Sequence, residues 1–259
     1  MSLLLRPLTL LTSPLALCAC MGTDTGNASQ GDDLSAITLQ LTTSALAAKA
    51  DGAAERVGPQ RVESGDAALI FRGGALSLKQ LELQLAPGVN CSDLAPAAVE
   101  DLTAEGWRCS GGKITSTGSF RVDLFRGEGA PPLPRLPEGD YKFVDLRLAP
   151  ADGVTLSVMG ELSHGGAAVP FSLALSFTED ARFEPLERGG LLRVEGGAPL
   201  SLFLNASEWF EGVDVGSCVA AGDLEPNAEG VIALERGVGL CHDIMMTLRR
   251  NIKASGEAR

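Results

Sequence analysis

From Val169 to Thr178 apolar residues alternate with small or polar ones without interruption. Val169, Phe171, Leu173, Leu175 and Phe177 stand against Pro170, Ser172, Ala174, Ser176 and Thr178. Successive side chains of a strand point to opposite faces, so such a run has one buried face, whereas a helix would scatter its apolar residues around the axis. The same period appears in Val144, Leu146 and Leu148 and in Val154, Leu156 and Val158. The turn sequences Pro150-Ala-Asp-Gly153 and His164-Gly-Gly166 separate the three runs, which predicts an antiparallel meander.

Further strands are expected on the same grounds. Ile37, Leu39 and Leu41 alternate with Thr38, Gln40 and Thr42, the pattern of a half-buried strand. Ala67–Arg72 and Ala75–Leu85 flank Gly73-Gly74, which predicts a hairpin. Phe120, Val122 and Leu124 begin another strand, and Leu191–Val194 and Leu200–Leu204 add two more. This count and spacing, with 31 glycines and 14 prolines to supply turns, predict a mainly β chain built as an antiparallel β-sandwich. Pro96–Glu105, closed by Gly106, predicts a short helical flap. Leu240, Ile244, Leu248 and Ile252 recur every four residues, with Arg249, Arg250 and Lys253 at the far end. This predicts a C-terminal amphipathic helix. Four prolines between Gly129 and Gly139 hold that stretch extended; it reads as a crossover within a single domain, 35–259, in preference to a linker.

Residues 1–19 read as a secretory leader, with Arg6 before an apolar segment, Leu8–Leu17. The segment is shorter than the roughly 20 apolar residues that span a bilayer, and Pro7 and Pro14 interrupt it. It ends in Leu17-Cys18-Ala19-Cys20, which resembles the lipobox of bacterial lipoproteins. The resemblance implies cleavage before Cys20, a diacylglycerol on its thiol and, usually, a further acyl chain on its new amino group. Cys18 is the rival lipidation site, but bulky Leu17 precedes it; an ordinary signal peptide cut elsewhere, or an uncleaved anchor, is the alternative. Residues 20–34 then form the lipidated cysteine and a polar tether with almost nothing to bury. Met21 stands where an Asp would resemble the inner-membrane retention signal, which favours the outer membrane and leaves open the periplasmic side or the surface. Leu202 through Trp209-Phe210, a short Val231–Leu234 strand and a helix ending Asn251-Ile-Lys253 together resemble the tail of β-sandwich lipoproteins of unknown function. That likeness implies a fold and no activity.

Beyond the leader and Cys20 remain Cys91, Cys109, Cys218 and Cys241. An even set in an exported chain reads as disulfides, and the local pairing Cys91–Cys109 with Cys218–Cys241 is favoured among three arrangements. The chain carries 21 Lys+Arg against 33 Asp+Glu, a net charge of −12. Such an acidic surface argues against nucleic acid or anionic lipid as a partner. Nine Phe, two Trp and one Tyr leave little for an aromatic sugar platform.

Candidate chemistry is sparse. His164-Gly-Gly166 resembles the oxyanion-hole segment of lipases, but no Gly-x-Ser-x-Gly accompanies it, and a strand-to-strand turn explains it better. Cys241-His242-Asp243 holds potential ligands without the close Cys or His pairs that zinc sites use. Asp223, Glu225, Asn227 and Glu229 place oxygens at alternate positions, as a calcium loop does. Ala228 and Leu234 nevertheless occupy the places of the EF-hand glycine and closing glutamate. Glu208, Glu211 and Asp214 surround Trp209-Phe210, two aromatics expected in the core. The expectation is a non-catalytic envelope lipoprotein with no cofactor. Its partners are the membrane, through Cys20, and an envelope protein or ligand met by loops of the sandwich. A cation- or small-ligand-binding lipoprotein and a hydrolase using two carboxylates are the alternatives.

Overall fold

The structure, a computed structural model, describes residues 34–43, 58–94, 96–186, 189–195 and 197–259. The lipobox, Cys20 and the tether through residue 33 lie outside the described residues. In chain order the elements begin with β1 (Ile37–Thr42), β2 (Gln60–Ser64), β3 (Ala67–Leu85) and α1 (Pro96–Ala104). Then come β4 (Trp107–Ser110), β5 (Lys113–Asp123), β6 (Glu128–Ala130), β7 (Gly139–Leu148), β8 (Leu156–His164) and β9 (Ala167–Leu175). The chain continues through β10 (Glu179–Pro185), β11 (Leu192–Val194), β12 (Leu200–Asn205), α2 (Ala206–Trp209) and α3 (Val215–Ala220). It ends with β13 (Ile232–Ala233), α4 (Ile244–Ala254) and β14 (Gly256–Ala258).

The fold is mainly β, with a large mixed sheet in the order β1-β12-β14-β10-β7-β3-β8-β9-β13. The expectation of a strictly antiparallel arrangement is corrected: β1–β12, β10–β14 and β9–β13 pair in parallel. Two of these pairs involve strands near the chain ends, β1 and β14, which join partners remote from or beyond a helical connection, as parallel pairing requires. The other edge of β1 is engaged too. Leu39 and Leu41 donate their amides to the carbonyls of Gly127 and Leu124, beside β5, so the hydrogen-bonded path returns to β3. All six residues of β1 are buried, including Thr38, Gln40 and Thr42, which corrects the half-buried reading.

The predicted hairpin at Gly73-Gly74 does not form. Residues 67–85 are one strand of 19 residues. Neither glycine takes the positive φ that a tight hairpin demands. A register shift lies between Phe71 and Gly73. A Cβ on Gly74 would meet Val158 Cγ1 at 2.7 Å. These glycines therefore let a continuous strand bend against its neighbour.

β3 pairs along one edge with β2 and then β5, and along the other with β8 and then β7, all antiparallel. This also revises the meander. β8 and β9 form the expected hairpin, with Gly165 and Gly166 at positive φ in its turn. β7 and β8, however, lie end to end along β3: Leu148 opposes Leu78, and Leu156 opposes Leu76. Between them the chain loops out and back around Ser77, whose carbonyl accepts from Ala149 N and whose amide donates to Thr155 O at 2.7 Å. β9 and β10 follow the same line outside β8 and β7. The two junctions are joined where the buried Thr155 hydroxyl donates to Phe177 O at 2.6 Å and accepts from Phe177 N at 3.0 Å.

One core cluster contains the inward residues of these strands, among them Leu69, Leu76, Leu81, Leu83, Val144, Leu146 and Leu173. Phe71 meets Phe171 and Trp209 edge-on, with ring centroids 5.4 and 6.0 Å apart. Trp209 Nε1 donates to Ser255 Oγ at 3.0 Å, which ties α2 to the end of α4. At the other end the predicted flap is present: α1 lies between Cys91 and Cys109, which are bonded to each other. Trp107, buried beside it, donates Nε1 to Arg135 O at 2.7 Å. The proline-rich stretch runs from β6 to β7 with Leu133 and Leu136 buried. Of the C-terminal periodicity, Ile244, Leu248 and Ile252 are buried on α4, but Leu240 precedes the helix and is exposed.

Gly160 tests the close packing of β3 on β8. An added Cβ there would fall 2.0 Å from Ile70 O and 2.8 Å from Phe171 Cε1. Gly160→Ala is expected to cost about 1–3 kcal/mol in urea denaturation. Gly58→Ala, with no neighbour within 4 Å, should stay within about 0.5 kcal/mol of wild type.

Candidate functional site

The elements that gather at one end of the molecule are the β2–β3 turn, the β8–β9 turn, α3, and the segment leading into α4. Ser64, buried at the end of β2, fixes α3 there. Its Oγ donates to Val213 O at 2.8 Å and accepts from Val215 N at 3.1 Å. The packing is close: a Cβ on Gly65 would strike the Asp214 carboxylate, and one on Gly216 would strike that of Asp66. Asp214 caps α3, with Oδ1 accepting from Ser217 N at 2.9 Å and Oδ2 from Ser217 Oγ at 2.7 Å. The Ser217 hydroxyl first, then its amide, hold the Asp214 carboxyl below the usual carboxylate range, and His164 adds to the effect. Asp214 is therefore an ionised, exposed acid at neutral pH.

His164 faces Asp66, with Nε2 at 3.2 Å from Oδ2. Serine and imidazole at this end thus engage separate carboxylates, Ser217 with Asp214 and His164 with Asp66. The His164-Gly-Gly166 segment is the β8–β9 turn.

Between α3 and α4 runs a groove of about 260 Å³ floored by the Cys218–Cys241 disulfide. Val213, Leu240, Ile244 and Thr247 line it, and Asp214 and Asp243 are its two carboxylates. Asp223 holds its outer lip: its carbonyl accepts from Val238 N at 3.1 Å and its Oδ2 from Leu240 N at 2.8 Å. Gly239, at φ 55°, brings the backbone against that carboxylate, where a Cβ would collide. α4 is secured on the other side by Glu179 of β10, which pairs with Arg249 and, at 3.5 Å, with Lys253. The Arg249 hydrogen bond above all depresses the Glu179 carboxyl. Its contribution is thus present above the ordinary glutamate range and is lost as pH falls through the folded value.

The four candidate calcium ligands do not share one centre. Asp223 is directed at the 238–240 backbone, while Asn227 Oδ1 accepts from Glu229 N and Val231 N within its own turn. Glu225 and Glu229 are both exposed. Cys241 is bonded to Cys218, and His242 Nδ1 lies 3.0 Å from Gly239 O. Among the described residues no group of three or more His, Cys, Asp or Glu is placed to hold a metal ion. Of the acids around Trp209-Phe210, Glu208 accepts from Asn205 Nδ2 at 2.9 Å, and both aromatics are buried.

Elsewhere the outer face of β3, β7 and β10 carries a shallow charged hollow, but its charges are paired, Glu82 with Lys113 of β5 and the rest with one another. Arg182 binds Asp145 through two bonds of 2.8 and 2.9 Å, and Arg147 reaches Asp180 at 2.8 Å. Such exposed pairs contribute about 1 kcal/mol or less each.

Sequence reasoning passed over Asp66, Ser217 and the α3–α4 groove. Only Gly237-Val-Gly239 signalled that the apolar periodicity breaks before Ile244, leaving Leu240 outside the helix. No protein-family model, curated protein or solved structure matches the chain, and the site's own geometry is what bears on its function. That geometry supplies apolar contact bordered by negative charge.

Removing the groove's floor tests its construction. The disulfide links residues 23 apart, and replacing Cys218 and Cys241 together by Ser is expected to lower stability by about 3 kcal/mol in denaturant titration. An unchanged midpoint would contradict the link.

Proposed function

We propose that this chain is a lipid-anchored protein of the bacterial cell envelope, held by acyl chains on Cys20, with the outer membrane favoured. In this reading the β body is a sandwich that binds a partner at its α3–α4 end and does no chemistry of its own. The observation that carries the proposal is the pairing of Cys91 with Cys109 and of Cys218 with Cys241, with Cα–Cα distances of 5.7 and 5.9 Å. Disulfides persist in oxidising compartments, so two of them support export. Export in turn supports the leader and the lipobox resemblance at Leu17-Cys18-Ala19-Cys20. Two or more acyl chains suffice for stable attachment, so the body needs no membrane-spanning element. The groove supports binding over catalysis because much of its lining is apolar and the Asp214 carboxylate is engaged in capping α3 through Ser217.

Labelling cells with a palmitate analogue tests the anchor. The wild-type chain should carry label and sediment with membranes, while Cys20→Ala should be unlabelled and released. Label retained on Cys20→Ala, or wild-type protein in the soluble fraction with free thiols, would overturn the proposal.

A further inference from the structure

Large apolar side chains are seldom left in water without a use when they cluster. Three such side chains stand close along the chain here: Leu240 is 84% exposed, Met246 72% and Val238 58%, and Leu240 is the one that also lines the groove. Leu240 both projects into solvent and lines the α3–α4 groove, so it extends the groove's apolar lining outward. The lip is held in place by the Asp223 contacts and by the disulfide, so its exposure is built into the fold.

The charges select the occupant. Among the described residues, Asp214 and Asp243 are the only ionisable side chains lining the groove, and no Lys or Arg lines it. Asp214 is engaged by Ser217, and Asp243 by His242 at 3.1 Å. Neither has a Lys or Arg partner among the described residues. A second copy docked two-fold on this surface would set these acids against their equivalents. An anionic bilayer would meet the same acids on a chain of net charge −12.

We propose that the α3–α4 groove binds a cationic amphipathic segment of another protein, whose apolar face covers Leu240 and the apolar lining beside it and whose Lys or Arg side chains meet Asp214 and Asp243. This rests on the reading of the α3–α4 end as a binding surface and deepens it by naming the class of partner. An amphipathic helix seated in a groove recognises its partner through such apolar anchors, and the flanking charges set orientation and encounter rate.

Calorimetric titration of the full chain with a synthetic amphipathic helix made only of leucine and lysine tests the proposal. An otherwise identical helix with glutamate for lysine serves as control. The lysine helix should bind and the glutamate helix should not. Leu240→Ser, at an exposed position, should raise Kd by about tenfold. The double variant Asp214→Asn, Asp243→Asn should do the same and flatten the salt dependence; asparagine retains the cap on α3. No binding, equal binding of both helices, or a Kd unmoved by either variant would overturn the proposal. So would Leu240-dependent binding to phosphatidylglycerol vesicles or Leu240-dependent dimerisation in the absence of peptide binding. The same titration on Cys20→Ala separates this outcome from that of the anchor, because the groove is independent of acylation.

Discussion

Backbone pairing along both edges of β3 is the constraint on which the rest of the molecule depends. A strand of 19 residues is far longer than the five or six of a usual strand. It is sustained because β2 and β5 cover one edge in succession and β8 and β7 cover the other. The glycines at 73 and 74 let it bend without leaving the ladder, and the loop at 149–155 lets its partner change course at Ser77. Phe71, just before the bend, is where the aromatic cluster of Phe171, Trp209 and Phe210 assembles. The sheet and the helical end therefore share one core.

The helices are additions held by a few strong devices. α1 is tied through Cys91–Cys109 and buried Trp107, and α3 through Ser64 and Cys218–Cys241. α4 is tied through Trp209, Ser255 and the Glu179 ion pairs. Asn251 adds to this by donating Nδ2 to the carbonyls of Trp209 and Glu211. Because these fasteners act at element ends, the segment between Cys218 and Ile244 can present exposed apolar side chains without loosening the sheet.

Period-two alternation was a faithful guide to strands: Val144, Leu146, Leu148, Phe171, Leu173 and Leu175 all turn inward as their spacing requires. Local pattern could not reveal which strands become neighbours. Pro150-Ala-Asp-Gly153 does make a tight turn, with Asp152 and Gly153 at positive φ and Ala151 bridged to Val154, but beyond that bridge β7 and β8 part along the same edge of β3 and do not pair. Gly73-Gly74 misled for a related reason, since glycine serves close approach as readily as it serves turns. The local disulfide pairing and the α1 flap were legible because their loops are short. The candidate site was not, because Asp66, His164, Asp214 and Leu240 come from four separate segments that only the tertiary fold brings to one end. Asp214 was noted only as one of the acids around Trp209, and its capping of α3 is visible only once Ser217 is placed.

As one unbroken strand, β3 binds two halves of the sheet into a single cooperative unit. Native-state hydrogen exchange across a denaturant series tests it most directly. Amides of 68–71 and of 76–85 should converge on one opening free energy equal to that of global unfolding. Two separate isotherms meeting at Gly73-Gly74, with one half opening while the other stays protected, would show that β3 does not unite the sheet.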